Sequence, residues 1–140
     1  MTQTALTPGL GRRLLCLVYE MLLLTAVVIF AGGIAVLLAH ATGISESRIL
    51  TRTVVAAACA GYFILQWRGR GQTLPMKTWR IRLEGASGRR ITVRQALLRL
   101  VLATIGYLAM GASVLWALAD RDRQFLHDRL AGTRLVTTID

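Results

Sequence analysis

Three long apolar stretches divide the chain, each with a single charge in its first third. Residues 14–39 are uncharged apart from Glu20, residues 49–67 apart from Arg52, and residues 97–119 apart from Arg99. The first has about 26 residues, roughly 39 Å as a helix, against the ~20 residues a bilayer core requires. The second has only about 15 residues after Arg52, so it spans if that side chain reaches back to the headgroups. Between 68 and 96 the pattern changes. Residues 78–83 alternate with period two, with Trp79, Ile81 and Leu83 on one face and Arg80 and Arg82 on the other, as in a half-buried strand. Residues 85–88 read as a turn, 91–93 as a short returning strand and 134–139 as the other strand-like stretch, so these pieces can close a small β-flap. Residues 120–140 form a charged, turn-rich tail. The expected fold is an all-α integral membrane protein over 1–140. It has two transmembrane helices, a third apolar segment that is re-entrant or spanning, a basic cytoplasmic segment at 68–96 and the small cytoplasmic β-flap.

Composition sharpens this picture. Hydrophobic residues make up 54% and charged residues 17%, and the charges sit between the uncharged runs, which argues against a soluble core. Seventeen Lys and Arg against seven acids give +10. Because the arginines flank apolar spans, the excess reads as positive-inside placement, and no nucleic-acid partner is expected. The partners expected instead are the lipid bilayer, with anionic headgroups at the basic side, and a second copy or another membrane protein. Cys16 and Cys59 fall within apolar spans and read as small packing residues. Ala39, His40 and Ala41 resemble a signal-cleavage site, but the apolar run before them is longer than the 7–15 residues of a signal peptide, so it reads as an uncleaved helix.

Two helices joined by a polar turn at 40–48 put the N-terminus and residues 68–99 on one side. That segment carries nine Lys and Arg, so by positive-inside reasoning this side is expected to be cytoplasmic. Were the third stretch to cross once, six basic residues would lie outside: Arg48, Arg52 and the tail's Arg121, Arg123, Arg129 and Arg134. Gly106 and Gly111 offer a place to turn back instead, and the re-entrant form is favoured. The small residues 56–58, 60 and 61 suggest a close face toward the first helix. Tyr62 and Trp67 read as interface anchors.

The candidate chemistry is the charge inside the apolar stretches. A carboxylate such as Glu20 costs roughly 2.5–3.5 kcal/mol in lipid, so it needs protein or water around it. Arg13, seven residues earlier, returns to nearly the same helix face. The two read equally as a structural ion pair or as an ion-handling pair. Residues 69–73 (Gly-Arg-Gly-Gln-Thr) lack the phosphate-loop spacing and read as a turn at the membrane surface. Arginines there would gain about 1 kcal/mol each from anionic headgroups. His127 and Asp128 suggest a relay or a metal, but two histidines placed on opposite sides are too few ligands, so neither metal nor cofactor is expected. No catalytic motif is present, and no enzyme is expected.

Together these residues resemble a known family. Arg13, Glu20, the run Gly71-Gln72-Thr73-Leu74, Arg99, and the octet Leu126-His127-Asp128-Arg129-Leu130-Ala131-Gly132-Thr133 are similar to the pattern of the RDD family of small bacterial membrane proteins. That family is named for one arginine and two aspartates. Arg13 matches the arginine, Asp128 matches the tail aspartate, and Glu20 stands where the first aspartate is expected. Pro75 and Met76 interrupt the family's Gly-Gln-Thr-Leu-Gly-Lys run before Lys77. The resemblance runs from about residue 10 to residue 136. It implies a small multi-pass inner-membrane protein and points to ion (sodium/proton) or small-solute transport. The rival is a non-transporting scaffold or accessory subunit that docks a partner through its basic face. The residues to follow are Arg13, Glu20, Arg99 and Asp128, with His127, Gly132 and Thr133 of the tail motif; the tail is expected to fold back onto the cytoplasmic end of the first helix.

Overall fold

The computed structural model describes residues 7–43, 48–109, 111–121 and 124–138. Residues 44–47 of the expected turn, Arg123, and residue 139 of the strand-like stretch lie outside the described residues. The chain is mostly helical. Helix α1 (Leu10–Thr42) and α2 (Arg48–Gly69) pack side by side, and a one-turn α3 (Leu74–Thr78) leads to strand β1 (Ile81–Gly85). Then come α4 (Val93–Leu108), α5 (Ala112–Ala119), the short α6 (Leu126–Leu130) and β2 (Thr133–Thr137).

Both α1 and α2 are long and apolar enough to cross a membrane, with mean hydropathy of 2.7 and 1.5 over their most apolar windows. They exceed the expected spans at both ends. Leu10 and Gly11, ahead of the expected span, are helical, and so are His40 to Thr42 of the expected turn, where Gly43 closes α1 in the left-handed region (φ 67°). On α1 the buried positions are Arg13, Cys16, Glu20, Ala31, Ala35 and Ala39, a stripe at helical spacing. The opposite face is apolar and exposed: Leu22, Ile29, Phe30 and Leu37 are 66–72% accessible. The small face expected on α2 is only partly covered, since Ala56 and Ala57 are exposed.

The third apolar stretch is two helices, beginning at Val93 rather than 97. Gly111 (φ 75°) caps the start of α5 in the left-handed region, a conformation open to glycine without cost. At 1.5 Å per residue the arms are roughly 24 and 12 Å long, and neither spans alone. The tail returns to where α4 began, because β2 pairs antiparallel with β1, Ile81 opposite Thr137 and Gly85 opposite Thr133.

The flap differs from expectation in its pieces. Ile81 and Leu83 point inward (1% and 2% exposed) with Arg82 outward, as alternation predicted, but Thr78 ends α3 and Arg80 turns the chain at φ 53°. Residues 91–93 form no strand. The Thr92 hydroxyl accepts from Gln95 N–H (3.2 Å) and the Gln95 amide oxygen from Thr92 N–H (3.0 Å), a capping box that starts α4. The core sits here, where Cys16, Phe63, Trp67, Met76, Ile81, Leu83, Phe125 and Leu135 meet at one end of the bundle.

Gly71 is the tightest point of this end. It has φ 69°, its carbonyl accepts from Leu83 N–H at 2.7 Å, and a Cβ there would lie 2.7 Å from the Leu83 carbonyl oxygen. Gly71→Ala should cost on the order of 2–4 kcal/mol, left-handed strain plus overlap. Gly43→Ala, with nearly the same φ (67°) but open space, should cost only about 1–2 kcal/mol. Thermal unfolding of both in detergent is the check, and equal losses would remove close approach as the reason for glycine at 71.

Candidate functional site

The buried charges collect at the core end, and the chain builds the site from five elements. On α1, Arg13 and Glu20 are 1% and 6% exposed. Thr73 comes from the turn before α3, Arg99 from the second turn of α4, and Asp128 from α6; these are buried too. Tyr62 and Trp67 face them from the last turns of α2.

Glu20 is held by hydroxyls. Its Oε1 accepts from Tyr62 OH at 2.8 Å and its Oε2 from Thr73 Oγ1 at 2.5 Å. Arg13, the expected partner, does not hold it. Seven residues are roughly 10 Å of helical rise, too far for a direct contact between neighbours on one face. The Arg13 guanidinium turns instead toward the tail, 5.9 Å from the centre of the Phe125 ring and within the fields of Asp128 and Asp120. The turn that presents Thr73 is fixed by its neighbours. Gly71 meets Leu83 as described, and Gln72 Nε2 donates to the Ile81 carbonyl at 2.8 Å. Three consecutive residues read as a surface turn therefore lock the flap against the carboxylate.

Asp128 pairs with Arg99. Its Oδ1 takes Arg99 Nε at 2.8 Å and Nη2 at 2.6 Å, both side chains being at most 5% exposed. The Arg99 guanidinium lies over the Trp67 ring, 4.4 Å from its centre, so Trp67 (4% exposed) is a floor for the charge rather than an interface anchor. Asp128 is anchored by its backbone, whose carbonyl accepts from Thr133 Oγ1 at 3.1 Å. Gly132 (φ 64°) presents its carbonyl to Gln95 Nε2 at 3.2 Å and to Ala86 N–H at 2.9 Å. The tail motif thus ties α6 to α4 and the flap. It packs mainly on α4 and α5 and reaches α1 through Phe125 and Arg13.

His127 is 2% exposed between Phe125 and Tyr107, ring centres 5.4 and 5.8 Å away. Burial pulls its pKa down from 6.5 to about 4. Asp128 Oδ1, 3.5 Å from Nε2, pulls the other way, but that oxygen is already engaged by Arg99, whose charge also disfavours the imidazolium. His127 is therefore neutral at pH 7. The unfolded chain takes up a proton near 6.5 that the folded chain refuses until about 4. This contribution to stability is full above pH 6.5 and falls away as pH drops toward 4, by roughly 3 kcal/mol. His127→Asn should remove that component from the pH dependence of Tm. Parallel curves for the two proteins over this window would refute a buried neutral imidazole.

A cavity of about 130 Å³ lies among these groups, lined by Arg13, Glu20, Arg99, Tyr107 and His127 and by apolar side chains including Cys16. Among the described residues no three His, Cys, Asp or Glu side chains converge as a metal site. Sequence reasoning missed Tyr62, Thr73, Trp67 and Tyr107 as site residues. The signal for Thr73 was present, since a buried carboxylate needs donors and the Gly-Gln-Thr run offers a hydroxyl.

A family model described as the RDD family matches residues 7–132, which include Arg13, Glu20, Arg99 and Asp128. No curated protein matches the chain, and no solved structure does.

Proposed function

The chain belongs to the RDD family, and from that premise we propose a multi-pass inner-membrane protein that passes a small cation, sodium or proton, through the site at Glu20. The observation that carries this reading is how Glu20 is bound. A buried carboxylate that, among the described residues, is held by two hydroxyls and no ion pair can accept a proton, or offer its oxygens to a cation, without breaking a salt bridge. The neighbouring acid, Asp128, is committed to Arg99 and serves as structure. An acid within an apolar helix is a functional lead by default, and here it borders a cavity.

The bilayer placement rests on α1 and α2 as a crossing hairpin, sheathed by exposed large apolar side chains of a kind soluble surfaces avoid. In this placement α4 and α5 form the re-entrant pair, and the flap and tail lie with the N-terminus on the cytoplasmic side, where positive-inside bias puts the nine Lys and Arg of 68–99. So few helices give a pathway few walls, which favours a homo-oligomer or a membrane partner. The protein is not an enzyme in this reading.

The test is sodium and proton flux in liposomes containing the purified protein, against empty liposomes. Flux of either cation above the empty control is expected. Its absence for both would overturn the reading in favour of a scaffold that docks a partner through residues 68–99.

A further inference from the structure

The turn that holds Glu20 from one side builds a second polar place on its other side. Arg70, Arg82, Arg89 and Arg90 line one groove of about 330 Å³. All four are exposed, and none makes an ion pair with an acid among the described residues. Glu84 is the acid on the groove wall, and it is drawn toward Arg134 at 3.8 Å.

The groove is built on fixed backbone. Leu83 N–H bonds the Gly71 carbonyl on its floor, and the stem of Arg82 would come within 3.3 Å of a Cβ at 71. Its rim is the turn closed by Gly85 N–H to the Arg89 carbonyl and Gly88 N–H to the Gly85 carbonyl, both 2.8 Å. Four arginines lining one groove concentrate positive charge there, which an anion with several acceptor oxygens relieves, a match for phosphate.

A second feature says which phosphate. Arg70 also lines an adjoining recess with Lys77, Leu65 and Leu74, and the two leucines are 76% and 53% exposed. A free ion has no use for apolar neighbours, whereas a phospholipid brings its acyl chain with its phosphate. We propose that this groove binds the phosphate of an anionic phospholipid, with an acyl chain along Leu65 and Leu74. The groove lies where α2 ends, at headgroup level in the bilayer placement above. The inference rests on that placement but not on transport, so loss of lipid binding with cation flux intact would sink it alone.

The test uses the full chain in detergent and native mass spectrometry of retained lipid, with phosphatidylglycerol against phosphatidylcholine. Phosphatidylglycerol should be preferred by about tenfold or more. The triple variant Arg82→Gln, Arg89→Gln, Arg90→Gln should lose that preference with an unchanged Tm. Arg12→Gln, Arg94→Gln, Arg121→Gln, which removes equal charge from other exposed positions, should keep it. If the first triple fails to fold, Arg82→Gln and Arg89→Gln singly should each weaken the preference. No preference in the wild type, equal loss in both triples, or undiminished preference in the folded variants would overturn the proposal. So would displacement of the lipid by millimolar inorganic phosphate, which would mark a free-anion site, or by a short oligonucleotide, which would mark a nucleic-acid surface.

Discussion

Asp128→Ala should lower the stability of the folded protein by about 3–5 kcal/mol, because it strands a buried guanidinium. Asp128 is fully buried and takes two contacts from Arg99 on one oxygen, at 2.8 and 2.6 Å. Arg99 is 4% exposed and lies over Trp67, so its charge would stay buried without the carboxylate that balances it. Asp128→Asn should cost nearly as much, since it keeps the shape and removes the charge. Glu84→Ala is the control. Its partner Arg134 is 3.8 Å away and half exposed, and a pair of that kind contributes about 0–1 kcal/mol. Adding Arg99→Met to Asp128→Leu should recover a large part of the loss, as replacing both members of a buried pair by apolar residues is often near neutral. Melting curves in one detergent decide the matter. Equal Tm values for Asp128→Ala and Glu84→Ala would mean the tail is not docked through this pair.

Glu20→Gln should abolish cation flux while the protein stays folded. Glutamine is nearly the same size, and its amide oxygen can still accept from one of the two hydroxyls that now hold the carboxylate. What disappears is the charge. Glu20→Asp should retain part of the flux, because it restores the charge on a shorter arm. A structural salt bridge with Arg13 would behave otherwise: Glu20→Gln would destabilise strongly, and Arg13→Gln would rescue it. No such rescue is expected, because Arg13 faces Phe125 and the tail. Arg13→Gln should instead add to the loss caused by Glu20→Gln. Full flux in Glu20→Gln would eliminate the carboxylate as the carrier site and leave the cavity without an ion-handling group.

The tail motif was legible for a reason the structure makes plain. Apart from the exposed Arg129, its polar residues are buried, and the motif is tied down: Asp128 by Arg99, Thr133 by the Asp128 carbonyl, the Gly132 carbonyl by Gln95. Such positions admit few substitutions, so the residues stand out as a pattern. Alternation at 81–83 was legible because a strand's period is a local property. Residues 91–93 misled because their β-branched composition suits a strand, while the capping box between Thr92 and Gln95 decided for a helix start.

The amino-acid sequence by itself determined the two long apolar helices, the segment in which arginine accumulates, and the need for a partner at Glu20. These follow from length, period and charge, which act over a few turns of chain. Only the tertiary structure decided who the partners are. Tyr62 and Thr73 meet Glu20 across 42 and 53 residues, and Arg99 meets Asp128 across 29. It also decided that β2 rather than 91–93 completes the flap. A carboxylate on an apolar helix can accept from guanidinium, phenol or alcohol. The choice among them is made by which donor the packing of α2, the Gly71 turn and the tail carries to within about 3 Å.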